Sequence, residues 1–136
     1  MTLTLIQILV IAVGGAIGGV ARFGVSGIIA RRFGEDFPWG TLVVNVSGAA
    51  LIGVLAGVLL APETHVANHG PVWSGLVIGI LGSYTTVSSF SLQTLTLLRT
   101  NKPWLAGGNV IGSLALCVAS AALGYAWTLR FLEGTG

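Results

Sequence analysis

Asn109, Ser113, Cys117 and Ser120 recur at i, i+4, i+8 and i+11, a spacing that stacks four polar side chains on one face of a helix. Thr86, Ser89, Gln93 and Thr96 form a second such stripe at i, i+3, i+7 and i+10, and Thr41 and Asn45 stand one turn apart in another segment. Hydroxyls and amides donate hydrogen bonds without carrying charge. They suit two tasks. One is joining helices across their seams, worth about 0.6 kcal/mol per side chain in a membrane. The other is lining a path for an ion that must trade its hydration shell for protein donors. For any single residue both readings stay open; two stripes together with Asn45 favour a path.

The ion can be narrowed by what is missing. No Asp or Glu falls inside the long uncharged runs of the chain, so neither the carboxylate rings of cation channels nor the acidic relays of proton-coupled pumps can be built. A small four-helix drug exporter would need such a glutamate, and an enzyme would need an acid or base in a span; neither is present. A small, strongly hydrated anion fits best. Donors replace its water, and a low density of fixed positive charge lets it leave again. Phenyl ring edges, the positive pole of the ring quadrupole, could assist, and Phe90 is the ring nearest the hydroxyl-rich centre of the chain. Arg22 reads either as an anion attractor at a vestibule or as a snorkelling residue that ends its span. His65 and His69 lack a third ligand for a metal site. Cys117, the only cysteine, has no disulfide partner in the chain.

Helices inside a membrane must position these groups. Of 136 residues, 54% are hydrophobic and 7% charged, far below the charge of a soluble domain. The formal net charge of +2 is too small and too scattered for a nucleic-acid footprint. Uncharged runs at 1–21, 37–62, 66–98 and 103–129 each reach the length of a spanning helix. Spans are predicted at about 3–30, 39–61, 71–98 and 104–130, in a single membrane domain covering 1–136. The start of the chain has no basic stretch or clear cleavage site, so the first segment is expected to remain as a span. Trp39, Trp73, Trp104 and Trp127 fall near span ends, where indole rings settle at the headgroups.

The third run is longer than a span needs, and its middle, Gly79 to Ser91, is crowded with glycine, hydroxyl and β-branched residues. That composition predicts a helix broken mid-membrane, whose freed carbonyls and amides must face protein or an ion-bearing cavity. The alternative is a continuous helix whose hydroxyls bond back to their own carbonyls. Small-xxx-small spacings at Gly14/Gly18, Gly15/Gly19, Gly53/Gly57, Gly75/Gly79 and Gly108/Gly112 predict close helix packing.

Four segments resemble a known family, the bacterial fluoride channels called Fluc or CrcB. They are Gly14-Gly15-Ala16-Ile17-Gly18-Gly19-Val20-Ala21-Arg22-Phe23, Trp39-Gly40-Thr41-Leu42-Val43-Val44-Asn45, the stretch from Gly82 to Ser91, and Gly108-Asn109-Val110-Ile111-Gly112-Ser113. They fall in order, one per span. The resemblance implies an all-α integral membrane protein of four transmembrane helices, the third broken, assembled as an antiparallel dual-topology homodimer in the bacterial cell inner membrane. It implies passive fluoride export through two pores at the subunit interface. It also implies a structural Na+ held by backbone carbonyls, by motif position those of Gly82 and Thr85. Asn45 is similar to the family's pore asparagine, Phe90 to the second of its two pore phenylalanines, and Asn109 and Ser113 to polar positions of its fourth helix. Ser88, Ser89, Arg22 and Thr41 flank these positions as pathway or vestibule residues.

The chain departs from the family pattern at one position. Where the family reads Thr-Thr-Phe-Ser-Thr-Phe, this chain reads Thr85-Thr86-Val87-Ser88-Ser89-Phe90, so Val87 replaces the first pore phenylalanine. Arg31, Arg32, Arg99 and Lys102 flank the first and third loops, and only Arg130 lies clearly on the other side. By the positive-inside rule that bias favours one orientation, whereas an antiparallel homodimer needs two. A non-conducting or half-active partner subunit of a heterodimeric channel is therefore the alternative function.

Overall fold

The computed structural model describes residues 4–59 and 70–135. The expectations for His65 and His69, and for residues 3, 60 and 61 at predicted span ends, lie outside them. Among the described residues the protein is all-helical, and Leu5–Phe33, Trp39–Leu59, Pro71–Arg99 and Pro103–Gly134 are each long and apolar enough to cross a membrane.

Helix α1, Leu5–Phe33, opens on a capping box. Thr4 Oγ1 accepts from the Gln7 amide at 3.3 Å while Gln7 Oε1 accepts from the Thr4 amide at 2.9 Å, which satisfies two of the donors a helix start leaves over. It ends at Gly34, whose φ of 82° lets its amide return to the Ala30 carbonyl at 2.9 Å. Arg31 and Arg32 occupy the last turn, where cations meet the negative end of the helix dipole. Helix α2 is Trp39–Leu59. Helix α3 runs over 71–84, and its middle, Ser74–Leu81, is wound in wide π turns. Helix α4, Ser88–Arg99, closes with Asn101 at φ 57°, the Lys102 amide reaching back to the Leu97 carbonyl at 2.8 Å and the Asn101 amide to Leu98 at 3.2 Å. This paired closure satisfies the last carbonyls, and Pro103 then starts α5, Pro103–Thr135, at a position where its missing N–H costs nothing.

Two seams organise the bundle: α1 against the π-wound part of α3, and α2 against α5. Glycines set both. A Cβ on Gly14 would stand 2.6 Å from the Gly75 carbonyl oxygen, and one on Gly124 would stand 2.6 Å from that of Ala50. Backbones therefore touch where side chains would otherwise hold them apart. Gly108 and Gly112 behave differently, since a Cβ at either meets nothing within 4 Å among the described residues. Large aliphatic side chains such as Leu92, Ile111, Leu114 and Val118 point outward, while Thr41, Ser74, Thr86, Asn109, Ser113 and Thr128 are buried. Lipid offers hydrocarbon outside at no cost, so the interior is left for small and hydrogen-bonded groups.

Candidate functional site

Helix α3 ends at Tyr84, with Thr85 as its cap. The Thr85 amide and hydroxyl both converge on the Leu81 carbonyl, each at 3.0 Å, and Thr85 then turns extended at ψ 157°. α4 takes up the helix again at Ser88, with the Ser91 amide on the Val87 carbonyl at 2.9 Å. The residues between are Thr85, Thr86 and Val87, all β-branched and poor helix formers, two with hydroxyls that compete for backbone groups.

About one turn of α2 holds this junction. Asn45 Nδ2 donates to the Thr86 carbonyl at 2.9 Å, and the Thr86 amide donates to Asn45 Oδ1 at 2.8 Å. Ser47 Oγ lies 2.9 Å from the Tyr84 hydroxyl. Gly48 leaves the space that Thr85 Cγ2 fills, so any side chain there would displace the junction.

The Thr86 side chain organises the start of α4. Its Oγ1 accepts from the Ser89 amide at 3.2 Å, lies 3.2 Å from Ser88 Oγ, and donates to Ser89 Oγ at 3.3 Å. Unpaired first-turn amides give the start of α4 a partial positive charge, and the last carbonyls of α3 give its end a partial negative one. The junction thus offers donors on one side and acceptors on the other.

Arg22, Glu35, Thr41, Thr86, Ser89 and Gln93 are among the residues that line one cavity of about 640 Å³ between α1, α2 and α4. Arg22 is half-exposed there. Gln93 Oε1 is buried without a hydrogen-bond partner. Of the stripe predicted on this helix, Thr86, Ser89 and Gln93 come together. Thr96 does not: it is exposed and bonds back to the Leu92 carbonyl at 2.9 Å.

The α5 stripe meets a different face of α4. Asn109, 2% exposed, donates from Nδ2 to Thr94 Oγ1 at 2.9 Å and accepts from Ser113 Oγ at 3.4 Å. Thr94 Oγ1 in turn donates to the Phe90 carbonyl at 2.7 Å. Further along, Ser120 Oγ sits 3.1 Å from the Val46 carbonyl of α2 and the same distance from that of Cys117, so this end of the stripe joins helices. Phe90 is half-buried, Ser88 is exposed, and Val87 is 75% exposed, its side chain directed away from its own subunit. Among the described residues no three His, Cys, Asp or Glu side chains gather as a metal site.

Thr94, Ser47 and Gly48 are site residues that spacing alone does not single out. Thr94 lies outside the α4 stripe, in an alternation of Thr and Leu, and only the α4–α5 crossing makes it Asn109's partner. Ser47 and Gly48 carry a weak signal, their place within three residues of Asn45.

A family model described as CrcB-like protein, Camphor Resistance (CrcB), matches residues 9–125. The chain is 52% identical to the fluoride-specific ion channel FluC of Opitutus terrae over 93% of this chain and 97% of that one. It is 50% identical to FluC 2 of Bradyrhizobium diazoefficiens, over 87% of this chain and 85% of that one. Against FluC of Rhodospirillum rubrum the identity is 42%, covering 93% and 97%.

Proposed function

The chain belongs to the CrcB, or Fluc, family, and from that membership we propose that it is a fluoride-selective ion channel, a multi-pass membrane protein that lets fluoride leave the cell passively. Its relatives are named as channels, not enzymes. The observation that carries the reading within the molecule is the α3–α4 junction, where a helix start turns uncharged donors toward a polar cavity that holds a single guanidinium. Donors of this kind can strip a hydrated anion without trapping it.

In this reading the junction lies mid-membrane, and a second copy, antiparallel in the inner membrane, covers it. Val87, Ser88 and the face bearing Gly108 and Gly112 are the surfaces left for that copy, since nothing among the described residues of their own subunit covers them. Fluoride passes Arg22 and Thr41 in the vestibule, then Asn45, Ser88, Ser89 and Phe90. Asn109 and Ser113 line the far side or, through Thr94, hold Phe90 in place.

Na+ fits the junction by its donor chemistry. The amide that would cover the Gly82 carbonyl in a continued helix, that of Thr86, is bonded to Asn45 instead, and the extended Thr85 directs its own carbonyl off the helix axis. Two unwound carbonyls per subunit are the kind of hard oxygen ligands Na+ takes in broken membrane helices. The ion would brace the junction and is not transported. Expression in a fluoride-sensitive bacterium without its own exporter tests the function. Growth at inhibitory fluoride is expected, and sensitivity unchanged despite membrane-inserted protein counts against it.

A further inference from the structure

In a continuous helix the Thr86 amide would donate to the Gly82 carbonyl, and the Thr86 carbonyl would accept from the Phe90 amide. Asn45 takes both places, with bonds of 2.8 Å and 2.9 Å from the two ends of one side-chain amide. The substitution has consequences on each side of the junction. Upstream it uncovers an acceptor, the Gly82 carbonyl. Downstream it uncovers a donor, the Phe90 amide in the first turn of α4, beside the Ser89 amide that Thr86 Oγ1 already caps.

We propose that Asn45 is the positioning residue of the junction: its one amide keeps the helix open at Thr86 and thereby frees the Gly82 carbonyl for a cation and the Phe90 amide for the permeating anion. The inference rests on the channel reading above and deepens it. Asn45 acts through Thr86, so the cation and anion sites are prepared by a single side chain. The geometry also explains why an amide is needed. Aspartate keeps the bond from the Thr86 amide but cannot donate, and it sets a carboxylate oxygen against the Thr86 carbonyl. Serine offers one hydroxyl and cannot span both groups. Ser47 and Gly48, which hold Tyr84 and Thr85 from the same helix, keep the chain on either side of Asn45 in register.

Purified protein labelled with ¹⁵N-phenylalanine gives five amide resonances, one from each of its five phenylalanines, and Phe90→Leu identifies that of residue 90. Two quantities are followed in micelles: the shift of that resonance during fluoride titration, and the rise in thermal midpoint when choline is replaced by Na+. In the parent both are expected. In Asn45→Ala both are expected to need about tenfold more ion or more, the cost of losing two part-buried hydrogen bonds. The Phe90 amide should also become protected from exchange as the helix closes through Thr86. Lys102→Ala, whose pair with Asp36 is open to solvent, serves as the control that leaves both responses in place. Asn45→Ala retaining both ion responses, with the Phe90 amide still open, overturns the inference. If the parent shows no Na+ effect, the cation part of the channel reading fails, and the Phe90 amide alone decides whether Asn45 positions the junction. A parent that responds to neither ion overturns both. Should Asn45→Ala not fold, Asn45→Ser takes its place with the same outcomes.

Discussion

Gly18 and Gly19 are adjacent in sequence and opposite in consequence. A Cβ on Gly18 would overlap the Ile80 carbonyl oxygen and stand 2.9 Å from its carbonyl carbon, whereas a Cβ on Gly19 meets nothing within 4 Å. Carbon atoms in contact prefer about 3.5–4.0 Å, so Gly18→Ala forces α1 and α3 apart by at least about 0.6 Å two residues before Gly82. Overpacking of this size costs about 2 kcal/mol, roughly a thirtyfold loss in the ratio of folded to unfolded protein. Gly19→Ala removes only a helix-interior glycine and should be neutral or stabilising by up to about 1 kcal/mol. Because Ile80 leads directly into the junction, the displacement should reach function as well, and fluoride efflux should fall for Gly18→Ala while Gly19→Ala matches the parent. Thermal unfolding of the two purified variants, followed by efflux from liposomes, makes the comparison. Equal stability and equal efflux would refute the claim that the α1–α3 seam sets the position of the junction.

Phe90→Ile, which keeps the bulk but removes the ring, is expected to suppress fluoride efflux strongly, while Val87→Phe should be tolerated because phenylalanine is the residue the family pattern has at that position. The reverse result in an efflux assay would make Phe90 a packing residue. Asn109→Ala and Thr94→Val should be coupled in a double-mutant cycle of unfolding by about 0.6–1.7 kcal/mol, the range for interhelical hydrogen bonds in membranes. Additive losses would mean that the 2.9 Å bond between them does not hold α4 to α5. Lys102→Ala should leave the unfolding midpoint unchanged, because its 3.4 Å pair with Asp36 is open to solvent. A measurable loss would show that the pair ties the first and third loops together.

Much of this architecture is legible from residue pattern. Four uncharged runs suffice to place four membrane helices, because backbone in lipid has few other options. The stripes of Thr86, Ser89 and Gln93, and of Asn109 and Ser113, are visible as helical spacing. Which partner each side meets is not. The path reading and the joining reading divide within a single stripe: Asn109 and Ser113 turn to α4, while Ser120 turns to the Val46 carbonyl. That division depends on crossing positions fixed by Gly53 and Gly124 against α5 and α2, a property of two helices together. Asn45 is recognisable as a polar donor on an otherwise aliphatic span, but its two bonds to Thr86 require knowing that the helix opens at that residue. The Gly108/Gly112 spacing predicts packing, yet finds no partner among the described residues of the subunit. Sequence spacing cannot say whether such a face serves its own chain or another.

The most direct measurement is fluoride efflux from liposomes that contain only this purified protein, loaded with fluoride and followed with a fluoride electrode. Rapid fluoride release is expected, absent from protein-free liposomes and not matched when chloride replaces fluoride. Folded, inserted protein that releases no fluoride, or that releases chloride equally well, would contradict it.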